Sequence, residues 1–215
     1  MTGYPEANGD LFAAIEAHDV TAMARLLARG ADPNRAHDDS PGWRPLHAAI
    51  EELESGASAD LLAVLLRHGA DADARDTAGD ATPLLMACFR RQHEAIRLLL
   101  AAGASVDVVG AEGDSPLRWA AGEGDVEIAR LLLACGAAAL VDDAGGITGA
   151  NPLGLAAARL NEPLVRLLLE YGANPEAPDA DRLLPWQRLP VRSDADPAPW
   201  DTIAAALKAP GTGQN

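Results

Sequence analysis

Lysine is almost missing from this chain: Lys208 stands alone beside 16 arginines among 215 residues. With 32 acidic residues the formal net charge is −15. A basic face able to neutralise a run of phosphates is excluded, and with it DNA or RNA as partner. An anionic membrane surface is excluded on the same ground. Cysteine is nearly as scarce, since Cys88 and Cys135 are too few for a disulfide framework or a structural zinc site. Aromatic residues make up 4% of the chain, so its core does not rest on large rings. No apolar run approaches the roughly 18 residues that span a bilayer. The opening MTGYPEANGD has neither the basic start nor the apolar stretch of a secretory signal. The expected location is therefore the cytoplasm. A basic protein is the partner this charge suits best, although acidity also keeps any protein soluble.

Alanine, by contrast, fills 46 positions. With arginine so favoured over lysine, this composition points to a GC-rich, bacterial coding genome. The chain is long enough to bury a real core, and that core has to be built from small side chains and rows of leucine. Their order is periodic. Prolines recur at Pro45, Pro83, Pro116, Pro152 and Pro185, spaced 38, 33, 36 and 33 residues. Glycines recur at Gly30, Gly69, Gly103, Gly136 and Gly172, spaced 39, 34, 33 and 36. One unit of about 33 residues with short insertions accounts for both series.

Each unit reads as two helices and a loop. Proline in a first helical turn costs no hydrogen bond, so PLHAAIEE, PLLMACFRR, PLRWAAGEG and PLGLAAARL open first helices whose alanines allow close packing. ADLLAVLLRHG, HEAIRLLLAAG, VEIARLLLACG and EPLVRLLLEYG are second helices, with leucine on one face and a left-handed C-cap at the closing glycine. Stretches rich in Gly, Asp and Asn follow and fit projecting turns or hairpins. A lone helix pair has nothing to bury its apolar face against, and stacked neighbours supply that surface.

These copies resemble ankyrin repeats. RPLHAAI, TPLLMAC, SPLRWAA and NPLGLAA match the start of the family pattern; GADPN, GADAD, GASVD and GANPE match its close. The resemblance covers about residues 10–175 and implies an all-α ankyrin-repeat solenoid of stacked helix-turn-helix units with projecting hairpin loops, about five repeats plus a degenerate C-terminal cap. The expected division is a tail at 1–9, a capping repeat at 10–34, repeats at 35–73, 74–107, 108–140 and 141–175, a degenerate cap at 176–209 and a disordered tail at 210–215. The cap is expected to include an apolar helix at 199–208, with Trp186 and Trp200 covering the last leucines. The second repeat carries four extra residues near 53–56, which extend either its first helix or the turn, and read as a tolerated insertion more readily than as a partner contact. The family's loop-bridging histidine is present only as His47; Leu85, Arg118 and Gly154 replace it, which leaves loop order in those repeats open.

No catalytic motif is present: no GxSxG, P-loop, HExxH, CxxC or dinucleotide-binding glycine cluster. The five histidines are scattered over different positions of different repeats, so no metal site is expected, nor any cofactor. Cys88 reads as a small core residue. Cys135 reads as more exposed and without an activating base. The five inter-repeat segments (31–43, 70–81, 104–115, 137–151 and 173–184) hold −12 of the −15 charges in 64 residues. Arg97, Arg130 and Arg166 follow Glu94, Glu127 and Glu162 by three or four residues, as on a solvated helix face.

The resemblance implies a binding groove formed by loop tips and first helices. Transferred position by position, it nominates Asp38, Asp39, Trp43, Asp76, Asp80, Glu112, Asp114, Asp142 and Asp143 on the tips. On the first helices it nominates Glu51, Glu52, Phe89, Arg90, Glu123 and Arg159. Trp43 and Phe89 are the expected anchors, because aromatic side chains dominate binding hot spots; packing between adjacent loops is the competing role for Trp43. Trp119 is assigned to the core. The expected function is a non-catalytic protein–protein interaction module, monomeric by itself, that grips a basic partner by an acidic edge, as an inhibitor or immunity protein of a toxin or enzyme. An adaptor or assembly scaffold is the alternative, and an enzyme with its site in 176–215 ranks last.

Overall fold

Helix starts and stops follow the backbone chemistry of the repeat. The computed structural model describes residues 5–37, 42–76, 81–192 and 195–208, with side chains from residue 11 onward. Tail residues 210–215 lie outside it. Among the described residues there are helices and turns but no strand. The chain divides into two compact units, Met1–Ala111 and Glu112–Asn215.

The first unit holds α1 (Pro5–Glu16), α2 (Val20–Ala28), α3 (Pro45–Glu52), α4 (Asp60–Arg67), α5 (Pro83–Phe89) and α6 (His93–Ala101). The helix α1 begins at Pro5, within the stretch read as tail. First helices stack on first helices, α1 on α3 and α3 on α5, while second helices stack in parallel order, α2 on α4 and α4 on α6. The leucines and isoleucines between the layers, including Ile50, Leu62, Leu65, Ile96 and Leu99, are withdrawn from solvent. Thr82 caps α5 by accepting the Leu85 N–H, and Asp19 caps α2 by accepting that of Ala22 at 2.8 Å. The helix α6 ends at Gly103, whose φ of 86° lies in the left-handed region, and Ala104 N–H returns to the Leu99 carbonyl at 3.0 Å.

The insertion in the second repeat becomes a 3-10 turn, Leu53–Ser55, prolonging α3. It ends on Gly56, left-handed at φ 89°, with Ala57 N–H donating to the Glu52 carbonyl.

The second unit repeats the scheme with α7 (Pro116–Glu123), α8 (Val126–Ala134), α9 (Pro152–Ala158), α10 (Glu162–Glu170) and α11 (Pro197–Ala206). The helices α7 and α9 pack side by side, as do α8 and α10, and α11 lies against α10. The short turn Pro185–Arg188 packs on α9 where a further first helix would stand. Trp200, on α11, donates its indole N–H to the Pro190 carbonyl at 2.9 Å and lies under the Arg192 guanidinium.

Side chains at the close of one repeat tie it to the next. Asn34 donates to the Gly69 carbonyl at 2.9 Å and accepts the Asp71 N–H at 2.7 Å. Asp73 accepts the Ser105 N–H at 2.8 Å, and in the second unit Asp142 accepts that of Asn174 at 2.8 Å. These bonds orient each loop from its neighbour, so the loop edge is a built surface. Each one satisfies a backbone N–H or, at Gly69, a backbone carbonyl.

Candidate interaction surface

Among the described residues, each unit carries a groove between its first helices and its loops. In the first unit a cleft of about 350 Å³ is lined by Trp43, Asp76, Ala81, Met86, Phe89 and Arg90. Phe89, the last residue of α5, is 50% exposed. Trp43 is half-buried, and its carbonyl accepts the His37 N–H at 2.8 Å, which closes the base of that loop. Asp76 is also half-buried; one carboxylate oxygen accepts the Ala81 N–H at 2.9 Å. Four nominated residues, Trp43, Asp76, Phe89 and Arg90, thus line a single cleft.

Charges on the neighbouring first helices are arranged as ties between repeats. Arg90 reaches back to Glu51 at 2.7 Å and to Glu54 at 3.2 Å. Glu52 accepts from His18 at 2.9 Å. The four-residue insertion therefore supplies one of the two carboxylates that hold Arg90. Asp38, Asp39 and Asp80 lie outside the described residues.

The groove of the second unit, about 340 Å³, runs between α7 and α9 under the loop at 145–148. Asp114, Glu123 and Arg159 line it, as do Trp119, Leu155 and Ile147. Glu112 is exposed beside it, and Asp142 and Asp143 are half-buried in the loop. Trp119, assigned to the core from sequence, is only half-buried and forms part of the groove wall. Ile147 is 89% exposed. It went unnoticed in sequence because a single aliphatic residue between glycines has no periodicity; the cue available was an isoleucine in a loop with no apolar partner nearby.

Arg118 organises this groove. Its side chain is 2% exposed. Nε donates to the Ala150 carbonyl at 2.9 Å, Nη1 to Gly113 at 2.6 Å, and Nη2 to Gly145. Asp114 supplies the counter-charge at 3.3 Å. Burial pulls the guanidinium below its ordinary pKa, opposed by Asp114 and Asp143. In the first unit His47 does the corresponding work, its Nε2 meeting the Ala81 carbonyl at 3.1 Å while Nδ1 accepts the Arg44 N–H. Burial lowers the His47 pKa, against the raising influence of the Ala81 carbonyl and Asp76. At Gly154 no side chain is available. There Asn151 donates to the Ala177 carbonyl at 3.2 Å, and Arg188 comes in from the following turn to pair with Asp179 at 2.6 Å and Asp181 at 2.7 Å. The loops after α8 and α10 are held in place without the family's histidine.

Cys88 is fully buried and Cys135 exposed. Among the described residues, no three His, Cys, Asp or Glu side chains come together as a metal site. No described helix is long and apolar enough to cross a membrane.

Stacked helix pairs, left-handed closing glycines and loops tied repeat to repeat define a helical repeat protein. The family model for ankyrin repeats (three copies) matches residues 11–110, 52–143 and 84–179, and the chain belongs to the ankyrin repeat family. It is 39% identical over 82 residues to the mouse 2-5A-dependent ribonuclease, covering 38% of this chain and 10% of that protein. It is 38% identical over 117 residues to human neurogenic locus notch homolog protein 2 (54% and 4%). With the mouse nuclear factor NF-kappa-B p105 subunit it shares 33% over 132 residues (61% and 13%). The chain thus spans 4% to 13% of the length of these curated relatives. Among solved structures, an ankyrin repeat domain from Acinetobacter baumannii AYE superposes with a TM-score of 0.75 at 24% identity, over 93% of this chain and 96% of that one. Ankyrin repeats are protein–protein interaction modules.

Proposed function

We propose that this chain is a non-catalytic module that holds a partner protein with a basic surface against the acidic edge made by its loops and first helices. The observation that carries the reading is the first-unit cleft, where aromatic and acidic side chains from two repeats line one opening: Trp43 and Asp76 from loops, Phe89 from α5. Aromatic anchors supply binding energy, and the surrounding carboxylates speed encounter with a cationic partner. Within this reading, an inhibitor or immunity role covering a basic cleft of a toxin or enzyme fits the net acidity of the loops, and an adaptor or assembly scaffold is the alternative.

Capture of the partner from native lysate at low and high salt, followed by affinity measurement with the purified pair, tests the proposal. Asp76 and Asp114 also hold backbone and Arg118 in place, so the informative variants are Phe89→Ala and Glu112→Lys. The expected result is a basic partner whose affinity falls about tenfold with Phe89→Ala and decreases with salt. Unchanged affinity in both variants, with native circular dichroism, would remove this edge from the function.

A further inference from the structure

An arginine closes the first helix in both units, but only one of the two finds its carboxylate. Arg90 stands seven residues after Pro83 and Arg159 seven after Pro152. Each caps a first helix that packs on the first helix of the repeat before it, α5 on α3 and α9 on α7. Arg90 reaches back 2.7 Å to Glu51, which lies six residues after Pro45. Six residues after Pro116 the chain has Gly122 instead. The exposed Arg159 guanidinium has no ion pair or hydrogen bond among the described residues. Packing does not demand the glycine: a Cβ there would meet the Leu155 side chain at 3.9 Å, an ordinary contact. Gly122 thus removes a carboxylate and clears the wall of the second-unit groove at the same point.

The lining of that groove is neutral as a whole, two acids against two arginines. Three of the four are engaged. Asp114 and Arg118 hold each other at 3.3 Å, and Arg118 also donates to three backbone carbonyls. Glu123 has a partner of its own. Arg159 is the charge left over. Across the opening, Ile147 is 89% exposed on a loop held from both sides, by Arg118 at the Gly145 carbonyl and by the Ala180 N–H at the Gly149 carbonyl, 3.0 Å away. An aliphatic side chain is therefore fixed in water near Trp119 and Leu155, and covering it costs little further ordering of the loop.

We infer that the second-unit groove seats a segment of the partner protein in which a glutamate stands beside an aliphatic side chain. The glutamate pairs with Arg159 as Glu51 pairs with Arg90, and the aliphatic side chain packs against Trp119, Leu155 and Ile147. This rests on the protein-binding function proposed above and adds to it one acid on an otherwise basic surface, which fixes the register of the partner.

The test uses the full chain, labelled with ¹⁵N, and three peptides: N-acetyl-Leu-Glu-Leu amide, its glutamine counterpart, and the glutamine peptide with a free C-terminal carboxylate. The glutamate peptide is expected to give saturable shifts at the Trp119 indole N–H, the Arg159 Nε–H and the Ile147 amide. It should bind about fivefold more tightly than the glutamine amide. Arg159→Gln should abolish that preference, and Ile147→Ala should weaken both amides about threefold. Gly122→Glu supplies the carboxylate from the chain's own helix, so it should weaken the glutamate peptide at least about tenfold; Gly122→Ala, which brings the side-chain stem without the charge, should keep the preference. Equal binding of glutamate and glutamine amides, a free terminal carboxylate as effective as the glutamate side chain, or Gly122→Glu binding like wild type with an unchanged thermal midpoint would each overturn the assignment. If a captured partner loses affinity with Phe89→Ala while the glutamate peptide leaves the groove untouched, the protein-binding function stands and this inference falls. If the peptide seats on Arg159 but no captured protein depends on Phe89 or Glu112, the inference stands and the acidic-edge function falls.

Discussion

Arg118 donates from Nε to the Ala150 carbonyl at 2.9 Å, and His47 meets the Ala81 carbonyl at 3.1 Å. Both residues stand two places after the proline that opens a first helix, and both reach the loop 32 to 34 residues ahead. One position in the repeat thus performs one task with two different side chains. Histidine does it neutral; arginine does it charged, and recruits Gly113, Gly145 and Asp114 as well.

Removing that guanidinium leaves three carbonyls and a carboxylate without their donor. Arg118→Ala is expected to destabilise the second unit by about 3 kcal/mol. Arg118→His restores the family residue and retains only the bond to Ala150, so about half of that loss should remain. Urea unfolding measures the first, and faster hydrogen exchange at residues 145–149 in both variants reports the loosened loop. Exchange unchanged from wild type would contradict the role.

Gly145 and Gly146 make room for the arginine. A Cβ on Gly146 would meet the Asp114 carboxylate and come within 2.7 Å of the Arg118 guanidinium, and its φ of 57° is left-handed. Gly146→Ala is expected to cost about 2 kcal/mol, of which about 1 comes from the backbone. Combined with Arg118→Ala the two losses should fall short of their sum, because one of the two obstacles has been removed while Asp114 stays. Strict additivity in a double-mutant cycle would show that the sites are independent.

Acid should weaken the first unit through His47. The neutral ring, with its proton on Nε2, satisfies both the Ala81 carbonyl and the Arg44 N–H. Burial holds its folded pKa below the ordinary 6.5, so the unfolded chain takes up the proton first. Stability is complete above the ordinary value and is lost as pH falls through the lowered folded one. His47→Gln copies Gln187, which accepts the Leu184 N–H at 2.7 Å at the equivalent place. Its urea midpoint should decline less steeply between pH 7 and 5 than that of the wild type. Parallel profiles would exclude His47 as the source.

Three of the five second helices are capped alike. Asp19, Asp125 and Asn161 each accept an N–H of the first turn, while Gln92, with a similar backbone, makes no such bond. Asp125→Ala should cost about 1 kcal/mol, and Gln92→Asp should gain about 0.5–1 kcal/mol. Thermal midpoints moving in opposite directions would bear this out; a Gln92→Asp protein no more stable than wild type would not.

The helices were legible in the sequence because proline and glycine act through their own backbone, with no knowledge of distant neighbours. Pro83 and Gly103 mark one repeat whatever surrounds them. The surface was harder to read. Glu51, Glu52 and Arg90 look like free charges along the chain, but their partners lie 34 to 39 residues away in a neighbouring repeat. Asp142 reads as a loop-tip acid, yet it holds the Asn174 N–H. The short-range pairs on second helices, Arg97 with Glu94 and Arg166 with Glu162, formed as their three- and four-residue spacing predicts. Arg118 was opaque because its acceptors are backbone carbonyls, which carry no residue identity. The glycine pair that admits it was visible only as a turn.

That glycine pair also gives the joint between two copies a lock-and-key character. The loop at 145–150 accepts an arginine from the preceding copy and has no space for side chains of its own where the guanidinium enters. An otherwise interchangeable module becomes order-dependent at that point. Recombination that placed a histidine-bearing copy before this loop would leave the Gly145 carbonyl without its donor. The order of the copies is written into the joint between them, and a chain shuffled without regard to it would carry the right repeats with a mismatched seam.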